Sequence, residues 1–197
     1  MNQQSEVGRV VRDVQEIHIH PDWDVSSDQY DADIAVLVLR KEVTFGSSIQ
    51  PISLMVSNSN MATILKSVVV GYGKSEDDTK IHENIPKILE IPIHKNEFCF
   101  LKNHNLALFS SERTFCGGSG TGTGVCKGDS GSGVFVYYKG IYYLRGIISA
   151  SLYRNLTCDV NTYAIFTDVL KFNTWIEAIP VPNTEQQSYF GDLPVWD

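Results

Sequence analysis

Gly124-Val125-Cys126-Lys127-Gly128-Asp129-Ser130-Gly131 is the stretch on which the reading of this chain turns. A serine hydroxyl is a weak nucleophile at neutral pH. It needs a base nearby and donors for the oxyanion that forms. The glycines around Asp129-Ser130 permit a sharp turn and a close approach to a substrate. The N–H groups of Gly128 and Ser130 can then converge on one carbonyl oxygen as an oxyanion hole. One such donor typically stabilises a transition state by about 3–4 kcal/mol. Read alone, the stretch is equally a Gly/Ser turn between two strands. Gly-x-Ser-x-Gly is not met around Ser130, which disfavours an α/β-hydrolase elbow. Gly117–Gly124 lacks the Lys-Ser or Lys-Thr of a phosphate loop and the Gly-x-Gly-x-x-Gly spacing of a dinucleotide site.

The surroundings of the motif select between these readings. Asp33-Ile34-Ala35-Val36-Leu37-Val38-Leu39, Gln50-Pro51-Ile52-Ser53-Leu54, Val70-Gly71-Tyr72-Gly73, Phe115-Cys116-Gly117-Gly118, Gly146-Ile147-Ile148-Ser149 and Phe166-Thr167-Asp168-Val169 with Trp175-Ile176 follow one another along the chain. In that order they resemble the landmarks of the chymotrypsin-like (trypsin-fold, S1) serine proteases, over about residues 10 to 179. The motif and the Phe-Thr-Asp-Val ending look like those of arthropod modular immune proteases. Ser132-Gly133 stands where the family usually has Gly-Pro, a small-for-small change.

The resemblance implies an all-β fold of two antiparallel Greek-key barrels, the first incomplete, with a C-terminal α-helix. Residues 1–60 are expected to form a partial barrel carrying the triad aspartate, Asp33. Residues 61–182 are expected to form the second barrel and helix, with Ser130 as nucleophile, and residues 183–197 a tail. Asp129 matches the zymogen-switch aspartate. Gly124 matches the floor of the specificity pocket and Ser151 and Ala164 its walls. Ser149 belongs to the strand bordering the substrate. A neutral floor and small walls imply an apolar or medium-sized side chain rather than Lys or Arg. The four cysteines allow three pairings. The resemblance selects Cys99–Cys116 and Cys126–Cys158, hence an oxidising, secreted setting. Asn155-Leu156-Thr157 is a glycosylation sequon in keeping with it.

One part is missing. Family order is His, Asp, Ser, and the histidine should stand some tens of residues before Asp33. Only 32 residues precede Asp33, and none forms an Ala-Ala-His-Cys segment. His18 and His20, two apart, share a strand face; exposed strand and turn histidines are favoured over a metal pair. Nor does Met1-Asn2-Gln3-Gln4 resemble the Ile/Val-Val-Gly-Gly start that supplies an ammonium to the zymogen-switch aspartate. Asp129 must then stay hydrated, raise its pKa or find other donors.

The expectation is a serine endopeptidase domain, inactive as this chain, with a non-catalytic homologue acting as a binding or regulatory module as the alternative. The polar start without a leader reads as a fragment. A net charge of −7 disfavours nucleic acid. No apolar run is long enough for a transmembrane helix. No metal or cofactor is called for. The expected partner is a polypeptide substrate or a protein, and the expected state is a monomer.

Periodicity places strands near 14–19, 34–39, 64–70, 87–93, 133–138, 142–149 and 163–167, with a hairpin turn at Tyr138-Lys139-Gly140-Ile141. The apolar run at 34–39 suits a strand buried on both faces. Val169, Phe172, Ile176 and Ile179 mark one face of a helix.

Overall fold

The computed structural model describes residues 8–27, 29–55, 66–73, 86–122, 124–154, 157–159 and 161–180, with main chain only at 153–154 and 157–158. Asn155 and the tail at 183–197 lie outside the described residues.

The described elements run β1 (Val14–Ile19), β2 (Ala35–Leu39), β3 (Ser53–Leu54), β4 (Lys66–Gly71), β5 (Lys87–His94), α1 (Asn96–Lys102), β6 (Thr114–Gly117), β7 (Gly133–Tyr138), β8 (Ile141–Ser151), β9 (Tyr153–Arg154), β10 (Thr157–Cys158), β11 (Ala164–Asp168) and α2 (Asn173–Glu177). The fold is all-β. Six strands close on themselves in the order β11-β6-β5-β4-β7-β8, because β8 pairs again with β11. β3 adds to β8 in parallel. Closure satisfies both edges of every strand in the ring.

Alternation decides which side chains fill the ring. Val69 of β4, Ile91 of β5, Val134 and Val136 of β7, Ile148 of β8 and Phe166 of β11 all point inward and are buried. Phe115 of β6 stacks on Phe166 with ring centroids 5.2 Å apart. Each such side chain contributes about 1.5–3 kcal/mol of burial. The β7–β8 hairpin turns at Lys139 and Gly140 with φ of 48° and 89°. Two successive left-handed residues match the twist of the flanking strands.

β1 and β2 form a separate antiparallel pair, with Ile17 opposite Leu37 and Ile19 opposite Ala35. This pair is a second sheet, apart from the closed ring. β2 departs from the expected doubly buried strand. Val38 is buried, but Ala35, Leu37 and Leu39 are exposed, because β1 is the only strand paired with β2 among the described residues.

The C-terminal helical stretch is split. A 3₁₀ turn at Val169–Lys171 precedes α2. Asp168 caps the turn by accepting from Leu170 N at 3.1 Å, and Phe172 breaks the helical path with φ −117° and ψ 0°. The apolar face survives the break. Phe172 packs on Ala32 and Ile34, with Trp175 and Ile176 beside them, and so ties the segment before β2 to the second barrel.

Cys99 and Cys116 form a disulfide between α1 and β6. Cys126 is disulfide-bonded as well, and the side chain of Cys158, its expected partner, lies outside the described residues. Among the described residues no helix is long and apolar enough to cross a membrane.

Candidate active site

Four main-chain hydrogen bonds shape the loop around Ser130. Asp129 N donates to Cys126 O at 3.0 Å and Ser132 N to Asp129 O at 2.9 Å. Gly131 N donates to Ile148 O, and Ile148 N to Ser132 O, both at 2.9 Å. Gly128 takes φ 96°, a conformation that side chains rarely adopt. Ser130 is exposed at the crest. The N–H groups of Gly128 and Ser130 enter no main-chain hydrogen bond among the described residues.

The carboxylate of Asp129 is turned the other way. Its Oδ1 accepts from Gly73 N at 2.7 Å and its Oδ2 from Cys126 N at 2.9 Å. Of the three outcomes left open by the sequence, the structure shows other donors. The glycines of Val70-Gly71-Tyr72-Gly73 make room for it: a Cβ at Gly71 or Gly73 would run into the carboxylate.

Asp33 stands where the N-terminal segment crosses onto the second barrel. Its Oδ2 accepts from Ser149 Oγ at 2.7 Å, and its carbonyl accepts from Thr167 Oγ1 at 2.9 Å. Ser149 directly follows Ile148, the residue clasped by the Ser130 loop. One dipeptide of β8 thus holds the Ser130 loop with its first residue and the Asp33 carboxylate with its second. The Ser149 hydroxyl is spent on Asp33.

Beside the loop lies a small cavity. Gly124, Ser151 and Ala164 line it, together with Asp159, Tyr163 and Phe166. Asp159 has no counterpart in the expected residue set, and its place beside Cys158 was the available signal. Asn161 N donates to its Oδ1 at 3.2 Å. Tyr163 backs the cavity and meets the rings of His94 and Phe98 edge-on, at 5.4 and 5.7 Å.

The histidines are engaged elsewhere. His18 Nε2 lies 2.9 Å from Glu16 Oε2. His20 departs from the expected exposed turn: it is buried, with its ring 5.1 Å from Phe172 and 4.7 Å from Trp175. Two large aromatic neighbours from the C-terminal stretch cover it, which no local pattern at His20 announces. His94 Nε2 sits 3.0 Å from Gly118 O. His104 opens a 3₁₀ turn, and His82 lies outside the described residues. Among the described residues no histidine is hydrogen-bonded to Asp33, and no group of three or more His, Cys, Asp or Glu is placed to hold a metal ion.

A sequence model of the Trypsin family matches residues 1–176. Serine protease gd of Drosophila melanogaster is 32% identical over 210 residues, covering 90% of this chain and 40% of that protein. Vitamin K-dependent protein C of Equus caballus is 31% identical over 149 residues, covering 73% of this chain and 92% of that sequence. CLIP domain-containing serine protease B4 of Anopheles gambiae is 25% identical over 169 residues, 84% of this chain and 46% of that protein. The chain therefore spans less than half the length of the two insect relatives. With the matched family model, the closed barrel and the Asp33–Ser149 hydrogen bond on the rim of the Ser130 loop, the chain belongs to the trypsin family of serine proteases.

Proposed function

We propose that this chain carries the nucleophile and the orienting carboxylate of a serine endopeptidase that acts on polypeptides outside the cell. Ser130 Oγ attacks the peptide carbonyl, and the N–H groups of Gly128 and Ser130 receive the oxyanion. Loss of the amine leaves an acyl-enzyme on Ser130, which water then cleaves. Asp33 holds the base in its working orientation. The observation that carries this reading is the shared dipeptide Ile148-Ser149, which brings the nucleophile loop and Asp33 to one rim. The disulfide at Cys99–Cys116 fits an extracellular setting.

The base is an imidazole from polypeptide other than these 197 residues. Without it, turnover falls by about 10⁴–10⁶-fold, so the chain by itself is inactive. A second reading rests on that same absence: the chain is a non-catalytic homologue that binds a protein at this rim. Peptide hydrolysis by the protein in its natural form separates the two. The first reading expects hydrolysis that Ser130→Ala abolishes. Absence of hydrolysis across a panel of peptide substrates, with the protein folded, favours the second.

A further inference from the structure

We propose that Arg113 is a positioning residue for Asp33, acting through Asp31. The proposal rests on the reading that Asp33 orients the base.

Arg113 enters from the second barrel, one residue before β6. Its own main chain is tied down on both sides: its N–H donates to Ser111 Oγ at 3.0 Å and its carbonyl accepts from Asp168 N at 2.8 Å. From this base the guanidinium reaches back across a sequence separation of 82 residues. Nε donates to Asp31 Oδ1 at 2.9 Å and Nη2 donates to Asp31 Oδ2. Nη1 donates to Asp22 Oδ2 at 2.6 Å, and the group lies 5.4 Å over the Phe172 ring. Ser111 Oγ adds a donor to Asp31 Oδ1 at 2.7 Å. A planar fork meeting a carboxylate at two points fixes orientation as well as distance, which a lysine does not.

What the fork holds is a strained turn. Ala32 lies between Asp31 and Asp33 with φ 54°, and it is fully buried. A non-glycine residue persists in that region only when its surroundings hold it there. On one side the holding group is the Arg113 fork on Asp31. On the other side are the two hydroxyls of Thr167 and Ser149 on Asp33. Released at Asp31, residue 32 gains by relaxing to negative φ, and that rotation carries the Asp33 carboxylate off Ser149. The guanidinium bonds to Asp31 and Asp22 and not to Asp33, whose direction it sets from two residues away. The clamp also stays charged in use, because the guanidinium holds the Asp31 carboxyl below its ordinary range.

The test uses the protein in its natural form with Arg113→Gln, Arg113→Lys and Asp31→Asn, read by peptide hydrolysis and by thermal unfolding. Arg113→Gln and Asp31→Asn are expected to lower kcat by about ten- to a hundredfold, with KM held within about twofold. Arg113→Lys, which keeps the charge but loses the fork, recovers part of kcat. A lowered Tm with unchanged kcat in the folded variants overturns the proposal. A double-mutant cycle of Arg113→Gln, or Arg113→Lys if Gln does not fold, with Ser149→Ala needs no catalysis. Tm losses falling short of additivity by about 2 °C or more support a shared role in holding Asp33; additive losses overturn it. If the unaltered protein hydrolyses nothing, the peptidase reading fails, and the cycle still decides whether Arg113 holds Asp33 in place.

Discussion

The closed six-strand barrel and the β1–β2 pair are built from equally apolar strands, yet only one of them buries its strands. In the barrel, Val69, Val134, Val136, Ile148 and Phe166 are at most 3% exposed. In the pair, Ile17 is 63% exposed, Ile19 59% and Leu37 54%. Composition does not separate them; closure does. A ring of six strands encloses one face, whereas among the described residues β1 and β2 pair only with each other. What keeps the β1–β2 region in place is the segment between its strands. His20, Ala32 and Ile34 dock on the C-terminal helical stretch, and Asp22 and Asp31 meet Arg113. The Ser130 loop belongs to the closed barrel and Asp33 to the docked segment. The candidate site is the seam between them.

Truncating a core residue is the strongest way to break this contrast. Phe166→Ala in the barrel is expected to cost about 3–5 kcal/mol in urea unfolding. Leu37→Ala in the pair should cost no more than about 0.5 kcal/mol, the range of a surface change. Comparable losses at both positions would mean that the pair has an enclosed core after all.

Gly73→Ala works on the barrel's side of the seam. The new methyl group would collide with the Asp129 carboxylate and push it off Gly73 N. The expected cost is about 1–3 kcal/mol of stability, from overpacking and the lost donor to Oδ1. Peptide hydrolysis by the protein in its natural form should fall further than the stability loss explains, because Asp129 precedes Ser130. Unchanged stability and hydrolysis would show that the carboxylate has another equally good seat.

The smallest expected effect is a pH dependence confined to the docked segment. Asp31 is held below its ordinary range chiefly by the hydrogen bond from Arg113. A depressed carboxylate stabilises the fold fully above its unfolded pKa. That stability is lost as pH falls through the folded value. The Tm should therefore hold steady for this pair down to about pH 4 and decline below it. Asp31→Asn should start from a lower Tm at neutral pH and show a shallower acid decline. Identical acid limbs for both proteins would remove the pair from the account.

Much of the barrel was legible because its strands carry local signals. Val134 and Val136 alternate with partly exposed neighbours, and Tyr138-Lys139-Gly140-Ile141 announces its turn. Gly71 and Gly73 were legible only as part of a family landmark; what requires them, the Asp129 carboxylate, lies 56 residues beyond Gly73. The exposure of β2 was not legible, since an apolar strand reads the same whether or not a second wall faces it. His20 gave no sign of burial, because Phe172 and Trp175 reach it from the far end of the chain. Arg113 was invisible for the same reason. Pairing with Asp31 is a property of the folded topology, not of any spacing around either residue.

The central claim is that the hydroxyl at Ser130 is the reactive one. It is tested most directly by treating the protein in its natural form with a peptidyl phosphonate and mapping the adduct by mass spectrometry. The account predicts one adduct per molecule, on the Oγ of Ser130, absent in Ser130→Ala. No adduct on the folded protein, or an adduct on Ser132 or another side chain instead, would contradict it.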